Sequence, residues 1–286
     1  MNRLGLLCAA SIVAGGVLLS AQRIAIPEPR RGAGDSVTGA FEGWYYNPDG
    51  SRSFLIGYYN RNSRQELDVP IGPNNHIDPG GPDFGQPTHF LPGRQWGMFS
   101  VPTPRDFKPE DSFFWTITAN GQTTTIPLRV KPDYVMAPFQ EIAVGNTPPV
   151  IRFEQAGKTV QGPIAMLATA GTRSATVGTP LALPVWVTDD MKYTNGTSSP
   201  LTGNRPPVTL RWTMYRGPAD VKFDKPRPQV EKLQSGEGFS GRATTNATFS
   251  EPGDYVLHLT ANDYSGDGGG GFGCCWTTAL VKVSVK

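Results

Sequence analysis

Two histidines and two aspartates lie close together in the first half of the chain, as His76, Asp78, Asp83 and His89. Imidazole and carboxylate groups together bind divalent transition metals, and two histidines with one carboxylate leave coordination positions open for a substrate. Residues 79–82 are glycine and proline and indicate a loop, whereas metalloenzyme ligands are usually held on rigid elements. Solvated surface histidines are therefore the favoured interpretation, and we expect His76, Asp78 and His89 not to converge on a metal.

Four aspartates in the second half of the chain are candidates for binding calcium. Asp189 and Asp190 begin one predicted loop, and Asp263 and Asp267 lie in another. In a two-sheet β-sandwich with Greek-key connections, loops in these positions emerge at the same end. Calcium takes about six to eight oxygen ligands in flexible geometry, which carboxylates supply together with Asn262 and nearby glycine carbonyls. The alternative is four solvated turn residues, since aspartate is common in turns. Calcium is the one candidate cofactor.

Two adjacent cysteines, Cys274 and Cys275, follow the glycine-rich segment 268–273. Adjacent Cα atoms across a trans peptide are about 3.8 Å apart, below the usual disulfide range of about 4.4–6.8 Å. A bridge between neighbours therefore needs a twisted or cis peptide. We expect such a vicinal disulfide beside Trp276; the alternatives are free thiols, a metal-bound thiolate pair, or bridges to another chain. With the aspartates, the pair indicates a functional loop end in the second half.

The composition indicates that β-strands position these residues. The 286 residues include 34 Gly and 27 Pro, with 38% hydrophobic and 17% charged side chains. This glycine and proline content, about a fifth of the chain, is too rich in turns for a helical bundle or a doubly wound α/β enzyme. The sequence has no Gly-x-Ser-x-Gly elbow and no His-Glu-x-x-His motif. We therefore predict an all-β protein without catalytic activity.

The N-terminus has the form of a secretory signal peptide. Arg3 supplies a positive charge, residues 4–19 are uncharged and apolar, and Ala21 offers a small residue for cleavage. The alternative, an uncleaved membrane anchor, is disfavoured because a spanning helix needs about 20 residues. No later segment is apolar enough to cross a membrane. We predict a protein that is secreted, periplasmic or on the cell surface, with no transmembrane segment after cleavage.

Turn signals divide the remaining chain into two β-sandwich domains. Asn47-Pro48-Asp49-Gly50 and Asn120-Gly121 each separate two strand-like segments and predict hairpins. Pro148 and Pro149 disfavour both helix and central-strand pairing, so we place the domain boundary there. The predicted units are a signal peptide (1–21), a flexible leader (22–35), an N-terminal β-sandwich (36–146) and a second β-sandwich (147–286).

The second domain carries a family resemblance. Residues 247–263 form a strand, a Pro-Gly turn and a second strand, with Tyr255 soon after the turn and Trp212 on the preceding candidate strand. In these features residues 148–286 resemble PKD-type immunoglobulin-like domains. The resemblance implies an immunoglobulin-like sandwich with Tyr255 as its corner tyrosine. The chain departs from the family after Trp212, where Thr213-Met214-Tyr215-Arg216 replaces an Asp-Phe-Gly-Asp-Gly run.

The first domain has a looser resemblance, to an uncharacterised secreted bacterial β-module. Three segments carry it: residues 57–62, 69–75 and 85–90. This resemblance implies no chemistry.

Aromatic side chains are concentrated on the predicted strands. Adjacent tyrosines on a strand point to opposite faces, so one member of each pair must face away from its own core. That member would stack on a sugar ring, pack on a partner protein, or be covered by the other domain. The two pairs are Tyr45-Tyr46 and Tyr58-Tyr59, and the tryptophans predicted to pack in the core or between sheets are Trp44, Trp186, Trp212 and Trp276.

The charge distribution limits the class of partner. The net charge is +2 and neither half has a clustered basic face, so nucleic acid is not an expected partner. We predict a non-catalytic binding or structural protein whose partner is a protein or polysaccharide at the cell surface. The first alternative is calcium-dependent or carbohydrate recognition through the loop end of the second domain. The second is a metal-dependent hydrolase.

Overall fold

A computed structural model of the chain describes residues 31–142, 145–163, 171–192, 207–233, 238–263 and 274–286. The predicted signal peptide (1–21) and Asp267 lie outside these residues. The described part contains eighteen strands and one short 3-10 helix, Pro132–Tyr134, which confirms the all-β class. None of its helices is long and apolar enough to cross a membrane.

Eight strands make up the first half of the chain. They are β1 (Val37–Tyr46), β2 (Arg52–Asn60), β3 (Leu67–Asp68), β4 (Asn75–Asp78), β5 (His89–Phe90), β6 (Gly93–Pro102), β7 (Phe113–Ala119) and β8 (Gln122–Leu128). The antiparallel sheets β1-β2-β6 and β4-β7-β8 enclose an aromatic core, and β3 pairs with β5. Both predicted hairpins are present, as β1–β2 and β7–β8. Asn120 and Gly121 have φ of 49° and 73°, as a two-residue hairpin turn requires.

Ten strands make up the second half. They are β9 (Val150–Arg152), β10 (Val160–Gln161), β11 (Gly171–Ala175), β12 (Leu181–Asp189), β13 (Val208–Arg216), β14 (Val221–Phe223), β15 (Glu231–Lys232), β16 (Phe239–Phe249), β17 (Gly253–Asp263) and β18 (Trp276–Val285). One sheet has the order β10-β9-β12-β16-β14, with β15 also on β16, and the other has the order β11-β18-β17-β13. These orders, with β11 parallel to β18, are those of an immunoglobulin-like sandwich. The finer resemblance to PKD-type domains stays a prediction.

The core of the second half contains the two aromatic residues that carried the resemblance. Trp212 is 1% exposed between the two sheets. Tyr255 is equally buried, and its hydroxyl donates a hydrogen bond to the carbonyl oxygen of Glu251 at 2.9 Å. This is the geometry of a tyrosine corner, in which the hydroxyl bonds to the backbone a few residues upstream. The predicted role of Tyr255 is confirmed.

Removing this hydroxyl should destabilise the second half. We expect Tyr255→Phe to lower the free energy of unfolding by about 1 kcal/mol, because the hydrogen bond to the Glu251 carbonyl is lost. Tyr46, which is 58% exposed, supplies the matched control: Tyr46→Phe should change stability by less than about 0.5 kcal/mol. Urea denaturation measures the free energy of unfolding of both variants, and equal losses would contradict the role of Tyr255 as a tyrosine corner.

The two halves share a buried interface. Strands β2 and β18 each contain six consecutive buried residues, 53–58 and 276–281, so both faces of each strand are covered. Tyr45 and Leu55 of the first half pack against Trp276 of the second. Tyr45 is therefore the member of its pair that the other half covers, one of the alternatives that the sequence left open.

Polar contacts also cross this interface. The guanidinium of Arg216 pairs with the carboxylate of Asp83 at 2.8 Å, and the hydroxyl of Tyr215 donates to the carbonyl oxygen of Gly85 at 2.5 Å. In the described residues no strand pairing joins the two halves, so side chains and loops hold them together. The domain boundary near residue 147 stays a prediction.

Candidate functional site

The structure gives the two histidines of the predicted metal set different partners. His76 Nε2 lies 3.1 Å from Asp78 Oδ2. His89 is 4% exposed, with Nδ1 at 2.9 Å from Asp68 Oδ1 and Nε2 at 3.1 Å from Glu66 Oε2. Both ring nitrogens of His89 are thus occupied by carboxylates that the sequence-based hypothesis did not include.

The environment of His89 favours its charged form. Burial alone lowers the pKa of His89, but hydrogen bonds and charges from Asp68 and Glu66 outweigh it and raise the pKa above its ordinary value. The contribution of His89 to stability is therefore fully present below about pH 6.5 and is lost as the pH rises through the raised pKa. Because Asp68 and His89 are partners in the β3–β5 pair, this cluster stabilises a short sheet.

Three of the four aspartates predicted to bind calcium are described, and they are Asp189, Asp190 and Asp263. Asp190 accepts a hydrogen bond from the hydroxyl of Thr147 at 2.9 Å, and Asp263 accepts one from Asn146 Nδ2 at 2.7 Å. Among the described residues no group of three or more His, Cys, Asp or Glu lies close enough to hold a metal ion. Asp267 lies outside those residues, so the calcium site stays a prediction.

The cysteine pair lies at the same end of the second sandwich as Asp263. Cys274 and Cys275 are buried, with their sulfur atoms at bonding distance across a cis peptide bond. Both sulfurs lie against the carbonyl oxygen of Asn146, at 4.0 and 3.4 Å. Asn146 thus contacts both parts of the predicted loop end. The disulfide itself stays a prediction.

A different site, which the sequence did not indicate, is a cleft of about 600 Å³ between the two halves. One wall is strand β6, and the other is the outward face of β13, β17 and β18. Its volume falls in the range of about 300–1,000 Å³ that is typical of ligand pockets. Its polar and aromatic lining consists of Arg94, Gln95, Trp96, Thr209, Arg211, Arg227, Gln229, Thr260, Asn262 and Trp276.

A β-bulge places Trp96 at this cleft. Ile56 of β2 pairs with Phe99 of β6 and Tyr58 pairs with Gln95, so three residues of β6 (96–98) lie opposite one residue of β2. Extra residues in one strand bend it and redirect its side chains. The indole of Trp96 is consequently 44% exposed.

The guanidinium of Arg94 stacks on one face of the Trp96 ring. Arg94 Cζ lies 3.8 Å over the ring, within cation–π range. The buried carboxylate of Glu42 holds Arg94 at 2.8 Å and accepts the backbone N–H of Gly97 at 2.9 Å. Burial raises the pKa of Glu42, while Arg94 and Gly97 act in the opposite direction. A Cβ at Gly57 would collide with the Glu42 carboxylate and the Gln95 carbonyl, so this arrangement requires glycine there.

Two further arginines give the cleft an excess of positive charge. Arg211 is half-buried and donates a hydrogen bond to Gln95 Oε1 at 3.1 Å. Arg227 is exposed and follows Pro226, whose carbonyl oxygen accepts a hydrogen bond from a backbone N–H of β13. Burial and then the charge of Arg227 lower the pKa of Arg211. In the described part of the chain no carboxylate forms an ion pair with either arginine, and no Asp or Glu lines the cleft.

Two polar atoms of the cleft residues lack a hydrogen-bond partner within the described ranges. They are Trp276 Nε1 and Asn262 Oδ1. A buried polar group without a partner costs free energy.

Comparisons with known proteins assign the chain to no family. No protein-family model and no curated protein matches it. Solved structures with some likeness include domains 4 and 5 of the S-layer protein SbsC (12% identity, 87% of this chain and 98% of that chain, TM-score 0.22). Another is the CFA/I adhesin CfaE of enterotoxigenic E. coli, with 10% identity over 88% of this chain and 79% of that chain and a TM-score of 0.21. A third is cadherin-like domains 1 to 4 of zebrafish RET, with 14% identity over 78% of this chain and 46% of that chain and a TM-score of 0.23. TM-scores this low carry no argument about function.

Proposed function

We propose that this protein is a non-catalytic binding protein outside the cell or at its envelope, and that it recognises a polysaccharide in the cleft between its two halves. The observation that carries the proposal is Trp96, an exposed and rigidly backed indole among amide and hydroxyl side chains. The C–H face of a sugar ring packs on an aromatic ring, while its hydroxyls need hydrogen-bond partners. Gln229, Thr209 and Asn262 line the same cleft and offer such partners.

The rigidity of the site supports this proposal. Arg94 is fixed by Glu42 and stacks on one face of Trp96, so the indole loses little conformational freedom when a ligand covers its other face. Immobilising a side chain on binding costs roughly 0.5–1.5 kcal/mol. A site that is ordered beforehand avoids this cost.

The proposal predicts a large effect at Trp96. Trp96→Ala should weaken binding of a polysaccharide at least about tenfold, because aromatic anchors supply a major part of interface energy. Binding is measured by calorimetry against the tightest ligand from a panel of neutral and acidic glycans. Trp186, also stacked by an arginine (Arg242 at 4.8 Å) but outside the cleft, is the matched control: Trp186→Ala should leave affinity unchanged. Equal losses in both variants, or none, would contradict the proposal.

A further inference from the structure

Resting on the proposed function, we infer that the ligand is an acidic polysaccharide, whose carboxylate groups pair with Arg211 and Arg227 while a sugar ring stacks on Trp96. The inference comes from the charges around the cleft, the geometry of guanidinium groups and the size of the site.

The charge of the cleft is local and only partly compensated. Three arginines line it, and only Arg94 has a carboxylate partner, Glu42. Arg211 and Arg227 form no ion pair within the described residues, although the chain as a whole has a net charge of only +2. An uncompensated pair of like charges at a partly desolvated site is unfavourable, and an anion between them relieves the repulsion.

The residue type suits a carboxylate. Guanidinium presents a planar fork of N–H donors that matches the two oxygens of a carboxylate, and such charge-assisted bonds are stronger than neutral ones. Arg211 is oriented by Gln95, which leaves further donors for a ligand. Its pKa is lowered by burial and by Arg227, in keeping with a cationic site that lacks its anion.

The site fits a sugar acid better than a nucleic acid. Proteins that bind single-stranded nucleic acid use a long basic groove with successive stacking aromatics. This cleft is compact, at about 600 Å³, and of its two indoles only Trp96 is exposed, since Trp276 is 1% exposed.

Calorimetry against paired ligands tests the inference. The probes are oligosaccharides of galacturonate, glucuronate and mannuronate, each compared with its neutral methyl ester, together with neutral glycans and a single-stranded oligonucleotide. We expect at least one acid to bind ten times more tightly than its ester at low salt, where charge pairing is least screened. Equal affinity for acid and ester, or a preference for neutral glycans, overturns the inference and leaves the proposed function standing. Failure of every glycan, or tighter binding of the oligonucleotide, overturns both.

Substitutions of Arg211 and Arg227 then test whether these two residues bind the carboxylate of the ligand. Arg227→Gln, at an exposed position, should weaken binding of the acid at least tenfold and leave binding of the ester within twofold. Arg211→Gln should behave in the same way, and Arg211→Lys should retain part of the affinity because it keeps the charge. The control is Arg242→Gln, outside the cleft. Unchanged binding of the acid by both Arg227→Gln and Arg211→Gln, or equal losses for acid and ester, would overturn the assignment.

Discussion

Replacing Trp276 by alanine is expected to lower the free energy of unfolding by about 3–5 kcal/mol, the range for truncating a large buried aromatic residue. The indole is 1% exposed and fills the interface between the halves, against Tyr45 and Leu55. Its edge also approaches the backbone at Gly97 so closely that an added Cβ there would lie 2.7 Å away.

Equilibrium urea denaturation measures this loss, and Trp186→Ala is the control. Trp186 lies on the outer face of β12 beneath Arg242 and is only partly buried, so its truncation should cost much less. The loss of Trp276 should also separate the unfolding of the two halves into two transitions. If both variants lose the same small free energy of unfolding, the two halves are not stably packed against each other in solution.

Acidification is expected to destabilise the protein through His258. This side chain is 2% exposed and its ring is stacked on Tyr215 at 5.7 Å between centroids. Burial and the nearby charge of Arg211 lower the pKa of His258 to about 3. The unfolded chain binds a proton near pH 6.5, whereas the native state does not, so the free energy of unfolding falls as the pH drops below that value. The slope is at most about 1.4 kcal/mol per pH unit, which gives roughly 2–3 kcal/mol between pH 6.5 and 4.5.

The comparison that isolates this group is with His258→Phe, which keeps a stacked ring and cannot ionise. The carboxylates and His89 contribute equally to both proteins, so their contributions cancel in this comparison. The wild type should therefore lose about 2–3 kcal/mol more than the variant between pH 6.5 and 4.5. Parallel stability curves would mean that His258 is solvated or charged in the native state.

The sequence predicts those parts of the fold that local chemistry determines. Asn120-Gly121 forces a tight hairpin because both residues adopt positive φ, and Tyr255 makes its corner with a residue only four positions away. Strands such as β10 (Val160–Gln161) and β15 (Glu231–Lys232) escape prediction, since two residues carry no periodicity. Polar and apolar residues alternate over residues 66–71, but the strand there, β3, ends at Asp68, and prolines at positions 70 and 73 follow it.

The cleft could not be predicted because its residues come together only when the halves pack. Trp96, Arg211 and Arg227 lie on separate segments with no shared motif. One signal was present: Phe54-Leu55-Ile56 of β2 is an uninterrupted apolar run. In an antiparallel sheet such a run indicates burial on both faces, and hence a partner for the outer face of the first half.

The most direct test is a crystal structure of the protein bound to whichever oligosaccharide of the acid and ester panel binds most tightly. We expect a sugar ring on the open face of Trp96, with a carboxylate within hydrogen-bond distance of Arg211 or Arg227. A ligand bound instead at the loop end that carries Asp263 and Cys274, with Trp96 left uncovered, would contradict the account.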